Sequence, residues 1–169
     1  MPSVTYSEMA QFIKDILQQC TGIGQVYLNP KSQFDIEDFE NLVTTGIGEA
    51  KNINVWMITR RGMKNLRRSG VENIGTERRE HDFMVTGYYG FNEENNTDKS
   101  FQDLLTSICD QFDGKITKAS TTSTAIGVEY TSPIEVSNIG ISTIGEGYMV
   151  HVCSLIVTFQ ERRDAINYM

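Results

Sequence analysis

Arg79-Glu80-His81-Asp82-Phe83-Met84-Val85-Thr86-Gly87-Tyr88-Tyr89-Gly90-Phe91 is the stretch on which the architecture turns. His81, Phe83, Val85, Gly87, Tyr89 and Phe91 alternate with Asp82, Met84, Thr86 and Tyr88. Side chains on a strand point to opposite faces at every second residue, so the pattern predicts one long strand. Gly87 within it marks a bulge or a close approach of another group. Tyr148 to Phe159 alternates in the same way and predicts the longest strand. Ile53 to Thr59 (INVWMIT) is β-branched, aromatic and almost continuously apolar, which predicts a strand buried on both faces.

Helices flank these strands. Met9, Phe12, Ile13, Ile16, Leu17 and Cys20 fall on one helical stripe, and Thr5-Tyr6-Ser7-Glu8 matches a capping box at its start. Gly22 and Gly24 end that helix, and Gln25 to Leu28 reads as a short strand. The helix-to-strand order is the reverse of a phosphate-cradling loop, so these glycines are structural. Asp35 to Thr45 predicts a short amphipathic helix burying Ile36, Phe39 and Leu42 or Val43. After a polar turn over Asn92 to Lys99, Thr97 or Asp98 caps a helix with the stripe Phe101, Leu104, Leu105, Ile108 and Phe112, closed by Gly114. A Ser/Thr-rich stretch, Lys115 to Ala125, precedes extended pieces at Gly127–Tyr130, Ile134–Val136 and Ile139–Ile144. Gly145-Glu146-Gly147 turns into the last strand, and Gln160 to Met169 forms a short charged tail. The order predicts a single α+β domain over residues 1–169, with two or three amphipathic helices packed on one face of a mainly antiparallel β-sheet.

Composition narrows the class further. The 169 residues suffice for one domain with a real core; 39% are hydrophobic and 22% charged. No apolar run is long enough for a transmembrane helix, and Met1 to Thr5 lacks the basic-then-apolar order of a secretory signal. Cys20, Cys109 and Cys153 are odd in number and far apart, which predicts buried reduced thiols in a protein made in a reducing cytoplasm rather than a disulfide framework or metal site.

Charge is distributed unevenly. Residues 60–79 hold Arg60, Arg61, Lys64, Arg67, Arg68, Arg78 and Arg79 against Glu72 and Glu77, a formal +5 that leaves −12 for the rest of a chain of net charge −7. With Gly62, Gly70 and Gly75 inside it, the segment predicts a long basic loop or arm, with a helical turn around Lys64 to Arg68. Loops of this length in a compact domain are usually functional or disordered. Arginine outnumbers lysine, which favours geometric pairing with carboxylate or phosphate. No aromatic residue lies between Arg60 and Arg79, so the arm lacks the stacking groups of a single-strand binder and suits an acidic protein neighbour. The sequence pI of about 4.8 also argues against an ordinary DNA-binding domain.

Catalytic constellations are missing from the pattern. His151 and Cys153 share a strand face but stand about 6–7 Å apart by strand geometry, too far for proton transfer. Both are expected in the core, with His151 hydrogen-bonded to a neighbour. Alternation sends Glu80 and Asp82 away from His81, which argues against a metal site there. Trp56, Tyr88, Tyr89 and Phe91 are expected to pack the sheet against the helices rather than stack on bases. No GxSxG, HExxH, P-loop or Rossmann spacing occurs. The expectation is no catalytic residue, no cofactor and no metal.

The ordering resembles the tail terminator, or tail-completion, proteins of long-tailed bacteriophages. It rests on the opening helix Met9–Cys20, the turn Gly24-Gln25-Val26-Tyr27, the strand Arg79–Tyr89, the middle helix Phe101–Phe112 and the closing strand His151–Glu161, and it covers nearly the whole length as pattern rather than motif. The resemblance implies a structural virion protein, not an enzyme, assembling as a homo-oligomeric ring, commonly hexameric, at the head-proximal end of the tail. There it would terminate the tail tube and meet neck or connector proteins, while DNA passes through without specific binding. The basic arm and the Ser/Thr-rich stretch depart from the pattern and leave other neck or tail-associated roles open. A nucleic-acid-binding module using the basic segment is the alternative.

Overall fold

The computed structural model describes residues 5–28, 53–66, 76–122, 128–130, 133–144 and 147–164. The helix expected over Asp35 to Thr45 lies outside them. Along the chain the elements are α1 (Tyr6–Leu17), β1 (Gln25–Tyr27), β2 (Asn54–Leu66), β3 (Thr76–Gly90), α2 (Thr97–Thr122), β4 (Val128–Tyr130), β5 (Glu135–Ile144) and β6 (Tyr148–Asp164). They form one α+β domain.

The capping box starts α1 as expected. Thr5 Oγ1 accepts from the Glu8 amide at 3.2 Å, and the Glu8 carboxylate accepts from the Thr5 amide at 2.7 Å. The helix buries Met9, Ala10, Ile13, Ile16 and Leu17. Gly22, at φ +89°, then turns the chain into β1. Asn54 fixes that turn on the next strand: its Oδ1 accepts from the Gly24 amide at 3.0 Å and its Nδ2 donates to the Gly22 carbonyl at 2.7 Å.

The sheet order is β1-β2-β3-β6-β4, with β5 also on β6. β4 pairs with residues 159–161 of β6 and β5 with residues 148–156, so the two lie end to end on one edge. Among the described strands only β1–β2 is parallel. The alternation around His81 to Tyr89 is realised in β3, flanked by β2 and β6 along its length. Gly87 is a close-approach point rather than a bulge. It sits directly opposite Trp56 in unbroken register, and the bulge lies instead in β2, between Arg60 and Gly62.

Both helices cover one face. Their stripes join Trp56, Ile58, Phe83, Val85, Cys153, Leu155, Val157 and Phe159 in the main core. A smaller cluster on the opposite face holds Ile53, Val55, Met57 and Val150. Residues 55–58 are therefore buried on both sides of the sheet, as their continuous apolarity predicts.

Three boundaries differ from expectation. Gly114 does not close α2, which runs to Thr122 through much of the Ser/Thr-rich stretch. One interior glycine costs only about 1 kcal/mol relative to alanine, and no proline follows until Pro133. The pieces around Val136 and Ile141 form one strand, β5, interrupted by a register shift between Ser137 and Gly140 where Asn138 has φ +53°. Gln160 to Asp164 is no tail but the end of β6, because β3 reaches far enough to pair with it.

Candidate interface on the basic arm

The described parts of the segment expected as a long loop, residues 60–66 and 76–79, are paired strand, and residues 67–75 lie outside the described residues. Past the bulge, Gly62–Leu66 of β2 pair with Arg78–Asp82 of β3, and β3 pairs with β6 as far as Asp164. Lys64 to Leu66 is strand, so no helical turn starts there. Cross-strand partners explain the correction. Lys64 forms an ion pair with Glu80 directly opposite, and Arg79 Nε donates to Asn65 Oδ1 at 3.1 Å. Opposed charges and polar pairs of this kind are what stabilise antiparallel strands, and a linear scan for apolar alternation does not see them.

The seven basic residues divide into different roles. Arg60 packs at the base of the arm, with its guanidinium carbon 5.2 Å from the Tyr6 ring centroid and 5.6 Å from that of Phe83. The two rings stack on each other at 5.8 Å. Its Nε is buried with no hydrogen-bond partner among the described residues. Arg60 is thus a cation over aromatic faces, anchoring the arm to α1. Arg61 is exposed in the bulge, and the Lys64 side chain remains 62% exposed beside Glu80. Arg79 is half-buried, and Arg78 lies opposite both Leu66 of β2 and Arg162 of β6. Arg67 and Arg68 lie outside the described residues. The register adds two arginines that the linear sequence did not associate with the arm, Arg162 and Arg163, opposite Arg78 and Glu77.

A buried polar pair sits beneath the ribbon. His81 Nε2 lies 3.2 Å from Glu161 Oε2, each side chain 2% exposed. Burial holds His81 below its ordinary pKa of 6.5, against the raising effect of the Glu161 hydrogen bond, with Arg60 and Arg79 lowering it further. His81 in its neutral form donates through Nε2 to Glu161. Asp82, on the other face, accepts from the Thr158 hydroxyl at 2.9 Å. His81 and its flanking carboxylates therefore do not converge, and no group of three metal-ligating side chains occurs among the described residues.

His151 and Cys153 are core residues, as expected. His151 Nε2 lies 3.2 Å from Thr97 Oγ1, and its ring stacks on Phe101 at 5.1 Å. Thr97 is the first residue of α2, and its hydroxyl is tied back to Asn92 and His151. Burial pushes the Cys153 thiol up to about 12 and the Cys20 thiol up to about 11, which suppresses the reactive thiolate. Three of the four sheet aromatics pack inward as expected, whereas Tyr88 packs on the face away from the helices, against the cluster of Ile53, Val55, Met57 and Val150, because alternation puts it opposite Val55. Trp56 is fully buried, Tyr89 packs on Phe101, and Phe91 packs on His151.

These features define a class: a single α+β domain whose central strands β2, β3 and β6 run on into a charged ribbon. No protein-family model matches the chain, and no curated protein matches its sequence.

Proposed function

We propose that the protein is a structural virion component, a ring-forming tail terminator of a long-tailed bacteriophage, and that it uses the arm within residues 60–79 to contact a neighbouring subunit or the tail tube. The observation that carries this reading is the strand-built arm with exposed Arg61 and Lys64 on an otherwise acidic chain. A cationic ribbon held out by paired strands suits docking on an acidic protein face, where charge complementarity sets register and partner choice.

An acidic body also suits a channel for DNA, since each neutralised phosphate would add grip and a repulsive wall lets the duplex slide. The element order resembling tail-completion proteins supports the same reading. Direct DNA binding through stacked aromatics is less well supported, because Trp56, the largest of them, is fully buried. Sedimentation and native mass spectrometry, alone and with the tail-tube protein, test the proposal. A cyclic oligomer that caps the tube supports it, and a persistent monomer that neither binds the tube nor alters tail length overturns it.

A further inference from the structure

Among the described residues, five large apolar side chains stand exposed: Met63, Ile139, Ile141, Tyr148 and Met149, between 40% and 54%. Scattered exposure of this kind is ordinary on a soluble protein, but these residues are not scattered. Four lie on the β5–β6 hairpin at one edge of the sheet. The fifth, Met63, lies on β2 toward the opposite edge.

β5 pairs with β6 on one side, and no described strand pairs with its other side. From Val136 to Ile144 it carries no charge and no proline. Natural edge strands are usually guarded by lysine, proline or a bulge. Here a bulge guards only Ser137 to Gly140, and Gly140 to Ile144 returns to regular pairing. No lysine or arginine lies between Lys118 and Arg162; exposed Glu135 opens the strand, and Glu129 lies on β4 along the same edge.

β2 presents the complement. Beyond Met57, where β1 stops, no described strand pairs with its outer side. It carries Met63 between exposed Arg61 and Lys64, and no acidic residue falls between Arg60 and Val71. One edge is therefore apolar and anionic, the other apolar and cationic.

We propose that the β5 edge of one subunit receives the β2 edge of a second copy of the same chain. Met63 meets the Ile139 and Ile141 patch, Arg61 and Lys64 meet the acidic flanks, and the outer main-chain groups of Gly140 to Ile144, which no described strand pairs, gain strand partners. This assignment rests on the ring reading above and deepens it by naming both halves of the subunit contact. Because the two halves differ, the interface is heterologous and repeats from copy to copy, as a ring requires. The edges are also offset. Ile141 is level with Tyr89 through His151, and Met63 with His81, so they stand about 27 Å apart along the strands and, three strand spacings away, about 14 Å apart across the sheet.

Two edge variants test it. Ile139→Lys/Ile141→Lys blocks the β5 edge and Arg61→Glu/Lys64→Glu blocks the β2 edge, with circular dichroism confirming that each folds. Sedimentation velocity is expected to show oligomers for the unmodified chain and at least tenfold weaker assembly for each variant alone. A one-to-one mixture should give dimers and nothing larger, because one intact edge remains on each partner. Independently of those variants, a Met63→Cys subunit mixed with an Ile141→Cys subunit should yield a covalent heterodimer under mild oxidation that neither yields alone. Variants that assemble normally, or a Cys pair that never cross-links, overturn the edge assignment. If the chain still forms a closed oligomer or binds the tail tube, the ring reading survives that failure. A monomer that ignores the tube overturns both.

Discussion

Trp56 and Gly87 face each other across β2 and β3, and a Cβ on Gly87 would come within 2.5 Å of the Trp56 ring. The indole is fully buried, and its Nε1 donates to Asn54 Oδ1 at 2.7 Å, so the ring has nowhere to retreat. A glycine in mid-strand gives up side-chain packing of its own; here it makes room for the largest side chain in the core.

Gly87→Ala is expected to destabilise the domain by about 1–3 kcal/mol through overpacking. Trp56 is the sole tryptophan, so its fluorescence in a urea titration follows the transition directly. Gly140→Ala, where a Cβ would meet nothing within 4 Å, is the control and should leave the midpoint in place. Equal midpoints for both variants would contradict the packing account.

Asn54→Ala removes a side chain that serves three partners at once: the Gly24 amide, the Gly22 carbonyl and the Trp56 indole. With a net value near 1 kcal/mol per hydrogen bond, and more for groups left unpaired, the expected loss is about 2–3 kcal/mol. Chemical denaturation measures it. A loss below about 0.5 kcal/mol would show that the turn between α1 and β1 holds without this junction.

His81 and His151 are both held below 6.5 by burial, opposed in part by Glu161 and Asp98 respectively. Between the depressed folded values and 6.5 the unfolded chain binds more protons than the folded one. The stability these residues confer is therefore complete above about pH 6.5 and is lost as the pH falls through that window. His151→Phe keeps a ring against Phe101 and removes one titrating group, so its urea midpoint should fall less steeply from about pH 7 to pH 5. An unchanged slope would contradict the assignment.

Cys20 and Cys153, with thiols pushed up to about 11 and about 12, should resist alkylation in the native state. Cys109, half-buried, is the only thiol expected to react, and slowly, since burial raises its pKa too. Mass spectrometry after iodoacetamide treatment near pH 8 should find at most one adduct in the folded protein and three in urea. Rapid native labelling of Cys153 would contradict the packing of β6 against the helices.

Much of this fold was legible because its signals are periodic and local. The stripe from Met9 to Leu17, the Thr5 and Glu8 cap and the alternation from His81 to Tyr89 each declare an element within a dozen residues. The continuous apolarity of residues 55–58 likewise declared burial on both faces. The arm was not legible, because its strands are held by partners far apart in sequence. Lys64 needs Glu80, Asn65 needs Arg79, and Thr76 to Asp82 needs residues 158–164. A run of arginines with three glycines carries no alternation of hydrophobicity, so the pairing that orders it leaves no mark on a linear scan. Arg60 is the sharpest case. As one charge among seven it looked like an interface group, whereas the fold places it over Tyr6 and Phe83 at the base of the arm. The β5 edge had a quieter signal, the absence of lysine and arginine from residue 119 to residue 161, which gains meaning only once that segment is known to form an edge.

The central claim is assembly into a ring at the end of a tail. Native mass spectrometry of the intact chain, alone and mixed with the tail-tube protein, tests it most directly. The account predicts one dominant closed oligomer, hexameric by the resemblance, that binds the tube end. A chain that stays monomeric across the accessible concentration range and leaves the tube unbound would contradict it.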